Sequence, residues 1–531
     1  MKAVVTPHKG KYEIKGLKAT LDSLEKHGFG EVFFSGDPNH FPEHQLIIPT
    51  GFQIEELTRD GRVFYNFQGF LAMMSENNTV GAVIKPTPEM SEPEIWVQLK
   101  SEDEKSLLEL ADKFEDWFEV HYRLGMLYLK RKMFKESFDE FQIARRYKSD
   151  IKYELGYVKE WRDHGLDFNQ GLCAYYAGEM NWGRFYVDRV IMKREVSGNL
   201  VNQSYSNYEF YAKPLQIEWT KEYMVGDYDV PEDIKSYKSL NPSLLPKGPG
   251  EFYLNIRIVN WHVNPIGFNQ YTSPHPKNKF KTKNLLGVIN PLGGFVSPPQ
   301  LIKKADDMEW LKIRKHHIDG FEDCRLFWIG EDRIYFITNC TKNNPAGAMK
   351  LSIGQIDITE SEPRYKKLTP IQGVGDNVTQ KNWLIYKVSE GSVWAVYGYE
   401  PLTIVKINLE TGRVEIESET KLPIRTGEFR GSAGPLKFKD GYLLIVHQVY
   451  LKGHGGRRYL HRFLFLDADM IPIGMSEMWY LKSKDIEYVS TMVDTGDDII
   501  VGYGMCDRCA CLSAISKSTI SKMIHPITEY L

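Results

Sequence analysis

Cysteine is scarce in this chain. There are six in 531 residues, too few and too scattered for a disulfide framework, which excludes the small secreted scaffolds that depend on one. No apolar run approaches the roughly 20 residues of a membrane-spanning helix, and the opening Met1-Lys2-Ala3-Val4-Val5-Thr6-Pro7 carries no apolar signal core. An excess of one charge is missing too. Lys and Arg number 67 against 70 Asp and Glu, a formal net charge of -3, so the basic footprint of a nucleic-acid binder is absent. The expectation is a reduced, cytoplasmic protein without a membrane span or a nucleic-acid partner. Aromatic residues, by contrast, are plentiful. The 30 Tyr, 27 Phe and 11 Trp, 13% of the chain, lean toward β-structure and sugar-sized stacking surfaces, although buried aromatics are as often plain core. A chain of 531 residues is too long for one ordinary core and implies two to four domains.

Three compositional regions follow one another. Residues 1–102 read as a small α/β domain: a strand over 3–6, a helix over 17–27 with Leu17, Leu21 and Leu24 on one face, and a strand over 31–35. Residues 103–196 turn helical. There Tyr122-Arg123-Leu124-Gly125-Met126-Leu127-Tyr128-Leu129, then Phe134, Ser137, Phe138, Phe141 and Ala144, have the spacings of a tetratricopeptide-type helix pair. A looser copy begins at Asn169-Gln170-Gly171-Leu172. Two units 46 residues apart make a spacer packed on a neighbour, with a protein partner as its further use, rather than a free-standing solenoid. Residues 197–207, rich in Ser, Asn and Gly, read as a linker. From 208 to 531 strand and turn alternate, with strands over 252–259, 333–339, 350–356, 393–397, 403–408, 442–448, 459–466 and 499–503. Turns such as Lys439-Asp440-Gly441 and Glu410-Thr411-Gly412 lie between them. So many short strands need closure, which a radial propeller supplies better than a sandwich.

One stretch carries chemistry of its own. Gly320-Phe321-Glu322-Asp323-Cys324-Arg325-Leu326-Phe327 sets two adjacent carboxylates and an arginine between a glycine and an apolar strand start. Such a pair can provide a proton donor and a neighbour that tunes its pKa. A solvated acidic turn with a surface ion pair is the competing reading. The terminal Cys506-Asp507-Arg508-Cys509-Ala510-Cys511 lacks the second ligand pair of a structural zinc site, so no metal is expected there. Asp507 is expected to face a funnel instead. Gly453-His454-Gly455-Gly456-Arg457-Arg458 sits between strands, not before a helix, and reads as a mobile hairpin rather than a phosphate loop.

Family resemblances sharpen these readings. Val4-Val5-Thr6-Pro7, His27-Gly28-Phe29 and Val32-Phe33-Phe34-Ser35-Gly36-Asp37 look like the start of a nucleotide-sugar-dependent glycosyltransferase, and Asn66-Phe67-Gln68-Gly69-Phe70 is similar to a helix start in the same proteins. No Asp-x-Asp follows Gly81-Ala82-Val83-Ile84-Lys85, so this part is expected to be shortened and non-catalytic. Further on come Asn241-Pro242-Ser243, Asn255-Ile256-Arg257-Ile258-Val259-Asn260, the Glu322-Asp323 motif, Gln380-Lys381-Asn382-Trp383 and Phe429-Arg430-Gly431-Ser432-Ala433-Gly434-Pro435. His447, Tyr459-Leu460-His461-Arg462, Ile486-Glu487-Tyr488 and Gly502-Tyr503-Gly504-Met505-Cys506-Asp507 complete the series. This succession resembles the five-bladed propellers of the mannoside phosphorylase and β-1,2-mannosyltransferase group, of the glycoside hydrolase family 130 type.

The resemblance implies a multidomain chain: a small α/β domain, 1–102, a tetratricopeptide-like helical domain, 103–196, and a five-bladed β-propeller, 208–531. It implies a carbohydrate-active enzyme, a glycosyltransferase or glycoside phosphorylase, acting between a sugar donor and a glycan acceptor. Inorganic phosphate or a nucleotide sugar would be the co-substrate. Asp323 would protonate the leaving oxygen, with Glu322 and burial raising its pKa. Arg257, Arg430, His447, His461 and Arg462 would hold phosphate, with two of the five structural, and Arg325 and Lys381 belong with the same substrate set. Asn241, Asn260 and Asn382 would bind hydroxyls, and Trp383 or Tyr503 would stack on a ring. Cys324 stands where the group has Pro, which bears on the turn and not on the carboxylate. Two alternatives stay open. An inverting glycosidase needs a second carboxylate, Asp507 or Glu487, about 6.5–9.5 Å from Asp323; a glycan-binding scaffold needs neither.

Overall fold

The computed structural model describes the backbone of residues 2–5, 31–34, 47–49, 54–59, 62–67 and 70–73, and residues 104–113, 115–148, 160–263, 271–273, 280–304, 318–340, 350–374, 379–451 and 456–531. The chain divides into two compact units, Met1–Tyr186 and Val187–Leu531.

In the first unit, Lys2–Val5 pairs in parallel with Glu31–Phe34, the pairing a β-α-β opening requires. The helix expected over 17–27 lies outside the described residues. The segment Asn66–Phe70 is not a helix start. Strands Arg62–Phe67 and Phe70–Met73 pair antiparallel with Phe67 opposite Phe70, because alternating Val63, Tyr65 and Phe67 have the period of a strand. Among the described residues four helices follow, Glu104–Lys113, Phe118–Lys130, Phe134–Arg146 and Leu166–Ala177, and Met180–Met192 spans the boundary at Tyr186. A Cβ on Gly125 would lie 2.6 Å from the Phe141 ring. The Ser137 hydroxyl donates to the Gly125 carbonyl at 2.8 Å, so the two helices meet with the glycine in the contact.

The presumed linker is helical as well. Gly198–Tyr211 forms a helix whose N-cap, Ser197, accepts from the Leu200 N–H. Composition suggested a loop. The deciding pattern is Val201, Ser204, Tyr205, Tyr208 and Tyr211, which recur every three or four residues and are buried.

Among the described residues, the second unit contains five mainly antiparallel sheets of four or more strands. Their first strands are Lys238–Gly248, Glu322–Ile329, Leu384–Val388, Arg430–Phe438 and Glu487–Asp494. Each of these lies beside the next, and the last lies beside the first. The fifth sheet takes its outer strand from the start of the unit: Trp219–Tyr223 pairs antiparallel with Cys509–Ser516, Tyr223 opposite Ala510. This strand ties the two ends of the unit together, and the arrangement is propeller-like. Both faces of a sheet are packed in such a stack. Ile499, Val501 and Tyr503 pack with Leu443, Ile445 and Phe463 of the fourth sheet, while the intervening Ile500 packs with Leu254, Ile256 and Ile258 of the first. Each such side chain contributes about 1.5–3 kcal/mol of burial, which is why these strands read as continuous apolar runs.

Arg462 belongs to this packing. Its side chain is fully buried; Nη1 donates to Asp188 Oδ2 at 2.6 Å and to the Ser476 carbonyl at 3.0 Å, Nη2 donates to Asp188 Oδ1, and Nε to Gln448 Oε1 at 2.6 Å. Asp188→Ala would leave that guanidinium buried and unpaired. Denaturant unfolding should show a loss of about 3–5 kcal/mol, with most of it recovered in the double variant Asp188→Leu/Arg462→Met. A loss below about 1 kcal/mol would show that the pair does not hold the helix to the sheets.

Candidate functional site

The first strands share a local defect that builds the site. Their registers slip opposite Ile256, between Glu322 and Arg325, between Ile385 and Lys387, between Gly431 and Ala433, and between Val489 and Thr491. Each slip is a bulge, which re-aims side chains near a strand end. Asn241, Asp323, Asn382 and Asp507 all have left-handed backbone, with φ of 43°, 52°, 67° and 49°, and all four line one cavity of about 530 Å³. Asn and Asp tolerate this conformation better than other side chains.

Arg257 organises the wall. It is 4% exposed. Its Nη1 donates to Asp323 Oδ1 at 2.7 Å, its Nη2 to Glu322 Oε1 at 2.5 Å, and its Nε to Thr282 Oγ1 at 3.0 Å. Asn241 Nδ2 also donates to Asp323 Oδ1, at 2.7 Å. Gly320, at φ 121°, brings the motif against the first sheet so closely that a Cβ there would sit 2.0 Å from the Thr282 carbonyl oxygen. Cys324 is buried in the core beside Phe321, Leu326 and Phe336, so the departure from Pro leaves the carboxylate on the cavity wall.

The electrostatics correct one expectation. Burial pushes the Asp323 carboxyl upward, but the Arg257 charge, the Asn241 amide, Lys381 and the Arg257 hydrogen bond together hold it below its ordinary value. Glu322 does not act on Asp323 as an unscreened negative neighbour, because the same guanidinium bridges both carboxylates. Asp323 therefore stands ionised at neutral pH, not protonated.

The remaining candidates divide. Lys381, Asn382, Arg430, His447 and Asp507 line the cavity with Asn241, Arg257, Glu322 and Asp323. Arg325 stands behind Tyr488: its Nη2 donates to the Tyr488 hydroxyl, which donates to Asn382 Oδ1 at 2.9 Å. Asn260 Oδ1 accepts from the Lys281 N–H at 2.6 Å, tying two strands of the first sheet. Trp383 is buried with Nε1 donating to Gln380 at 3.3 Å, and Tyr503 is buried with its hydroxyl 3.3 Å from Ser513 Oγ; neither presents a ring to the cavity. Glu487 accepts the N–H groups of Leu481, Lys482 and Ser483 at 2.6, 2.8 and 3.0 Å and is fully buried. It caps a turn. His461 stacks on Trp479 and accepts at Nε2 from Val489 N–H at 3.4 Å; burial lowers its pKa to about 3, so it supplies no positive charge. His447 faces the cavity but is also held well below its ordinary value, by burial and then by His461, Arg430 and Arg325.

Sequence reasoning missed Trp261, Phe280, Arg457, Tyr459, Ile486 and Tyr488 on the same wall. Tyr459 and Arg457 open the strand that carries His461, and Tyr488 follows Glu487; position at the cavity end of a strand was the available signal. Residues 452–455, part of the expected hairpin, lie outside the described residues. Arg257, Lys381, Arg430 and Arg457 against Glu322, Asp323 and Asp507 make a wall able to hold an anion beside an ionised carboxylate.

No family model and no curated protein matches this sequence. Among solved structures, it is similar to a β-1,2-mannobiose phosphorylase from Listeria innocua, with 14% identity over 57% of this chain and 98% of that one at a TM-score of 0.39. It is also similar to a mannose phosphorylase from Leishmania mexicana in complex with phosphate ion, with 12% identity, 61% and 95% coverage and a TM-score of 0.37. A GDP-Man-dependent mannosyltransferase from Leishmania mexicana gives 9% identity, 54% and 86% coverage and a TM-score of 0.33. At such identities and scores the chemistry rests on the cavity itself.

His447 and His461 fold uncharged, whereas in the unfolded chain each takes a proton near pH 6.5. The unfolded state then binds more protons below that pH, so stability is fully present above about pH 6.5 and falls as the pH drops toward 3. Unfolding free energies from urea titrations should stay level from about pH 8 to 7 and fall below 6.5, by up to about 1.4 kcal/mol per pH unit for each ring. His461→Gln should reduce that slope; an unchanged slope would remove His461 from the account.

Proposed function

We propose that the cavity transfers a hexosyl unit, mannosyl in the first instance, between a phosphate-bearing donor and a glycan hydroxyl, with inversion. The observation that carries this is an ionised Asp323 fixed by Arg257 and Asn241 on a wall that also presents Lys381, Arg430 and Arg457. In the direction of synthesis, Asp323 takes the proton of the acceptor hydroxyl as it attacks the anomeric carbon; the donor's phosphate leaves with the bonding electron pair and is held by the cations. In phosphorolysis the same carboxyl, once protonated, returns the proton to the departing oxygen. Asn241 and Asn382 orient hydroxyls, and Trp261 with Phe280 offers an apolar face to the ring. We read the five sheets as the five blades of one propeller, the helices of residues 103–196 as a tetratricopeptide-like spacer open to a protein partner, and residues 1–102 as a non-catalytic glycosyltransferase-like remnant of a cytoplasmic protein.

Hydrolysis with inversion is the second reading, favoured by Asp507, which lines the cavity as another carboxylate. Glu487 is not available for that role, since three backbone N–H groups engage it.

The two readings part in one assay, in which the full chain is incubated with sugar phosphates and nucleotide sugars and with mannosyl and glucosyl acceptors. Transfer predicts donor-dependent product that drops by about 100-fold or more in Asp323→Asn. Free sugar released without a donor, and lost in Asp507→Asn, would replace transfer by hydrolysis. Glycan binding with no donor consumed would make the propeller-like unit a binding module.

A further inference from the structure

Ser432 lies on the bulge of the fourth first strand and is fully buried. Its Oγ is 2.8 Å from His447 Nδ1, and His447 is carried on the next strand, opposite Arg430. The imidazole is clamped by aromatic neighbours: Tyr459 stacks on it with centroids 5.5 Å apart and planes 13° apart, and Tyr488 meets it edge-on at 5.3 Å. Its rotation is thereby fixed. With Nδ1 engaged by Ser432, Nε2 is the polar edge left to the cavity that His447 lines.

Which nitrogen carries the proton follows from the serine. Among the described residues, Nδ1 is the one hydrogen-bond partner of the Ser432 hydroxyl. A buried O–H without an acceptor is costly, whereas a spare lone pair on the same oxygen costs less. The hydroxyl therefore donates to Nδ1, and the ring proton resides on Nε2. The charged and titratable groups around the ring agree with a neutral imidazole. They are Arg430 and Arg325, His461 at 6.3 Å between centroids, and the phenols of Tyr459 and Tyr488; no carboxylate is among them.

We propose that Ser432 is a positioning residue: it holds His447 as the neutral Nε2–H tautomer, so that the ring presents a fixed hydrogen-bond donor to an anionic oxygen of the phosphate type in the cavity. The inference rests on the transfer reading for the identity of the anion, and not for the tautomer. An uncharged donor differs from the arginines and lysine in kind. It contributes direction without a further charge, and it leaves Asp323 less screened than a fifth cation would.

The test uses full-length protein with 15N-labelled imidazoles, whose two-bond proton–nitrogen spectrum distinguishes the tautomers; His447 is assigned by its loss in His447→Gln. Ligand-free wild type should show the Nε2–H pattern for His447, unchanged between about pH 5.5 and 8. Ser432→Ala should mix the tautomers and weaken binding of inorganic phosphate about tenfold. An Nδ1–H or imidazolium pattern in the wild type overturns the proposal. So does a folded Ser432→Ala protein with both readouts unchanged; should that variant not fold, the wild-type spectrum decides alone. A wild type with the expected tautomer but no phosphate binding sinks the transfer reading while supporting the role of Ser432.

Discussion

The guanidinium of Arg257 is the constraint on which the cavity depends. It sits on the second strand of the first sheet and reaches Glu322 and Asp323 on the first strand of the second, so a single planar fork fixes the distance and angle between neighbouring sheets. Lysine could not do this, since a point charge on a flexible stem satisfies one carboxylate without orienting the other. Burying three charges costs several kcal/mol per ion before pairing, and such clusters add little net stability. What the cluster gains is specificity: with Nε held by Thr282, each of the fork's hydrogen-bonded edges is assigned, and Asp323 has one position available.

Backbone geometry is the second half of the same device. A strand in regular register would place Asp323 and its counterparts alternately on packed faces, where Ile499 and Ile500 lie in the fifth sheet. Bulges and left-handed backbone break that alternation for Asn241 and Asp323, and left-handed backbone just outside the strands places Asn382 and Asp507 on the same cavity. Each such residue stores on the order of 1–3 kcal/mol. The apolar packing between sheets is large enough to tolerate this strain, and strain placed at strand starts does not disturb it.

The sequence was most legible where a physical period repeats. Strands such as Glu251–Val259 and Arg457–Leu466 match the alternating or continuous apolar runs that announced them, and the Glu322-Asp323 motif stood out because two carboxylates precede an apolar strand. Faces were harder. His461 and Arg462 are neighbours in the same motif as Tyr459, yet Tyr459 lines the cavity while the other two are buried, one on Trp479 and one on Asp188. A motif identifies a segment; which of its side chains reaches the cavity depends on bulges and on distance from the strand end, neither of which shows in residue type. The helix Gly198–Tyr211 failed for the opposite reason, since its Ser and Asn content masked a helical apolar stripe.

The sign of the Asp323 shift follows from partners that adjacency in sequence does not reveal. Glu322 beside Asp323 implies a raised pKa only while both charges face each other in a poor dielectric. Arg257, from a strand some 65 residues earlier, reverses the outcome. The balance depends on cations that an anion would also engage. A phosphate-bearing ligand near Lys381, Arg430 and Arg457 would add negative charge and offset part of their field, raising the Asp323 pKa toward the range in which the carboxyl keeps a proton. On the transfer reading a phosphate group is present in both directions, so that ligand would leave the Asp323 carboxyl poised between base and acid instead of fixed as either.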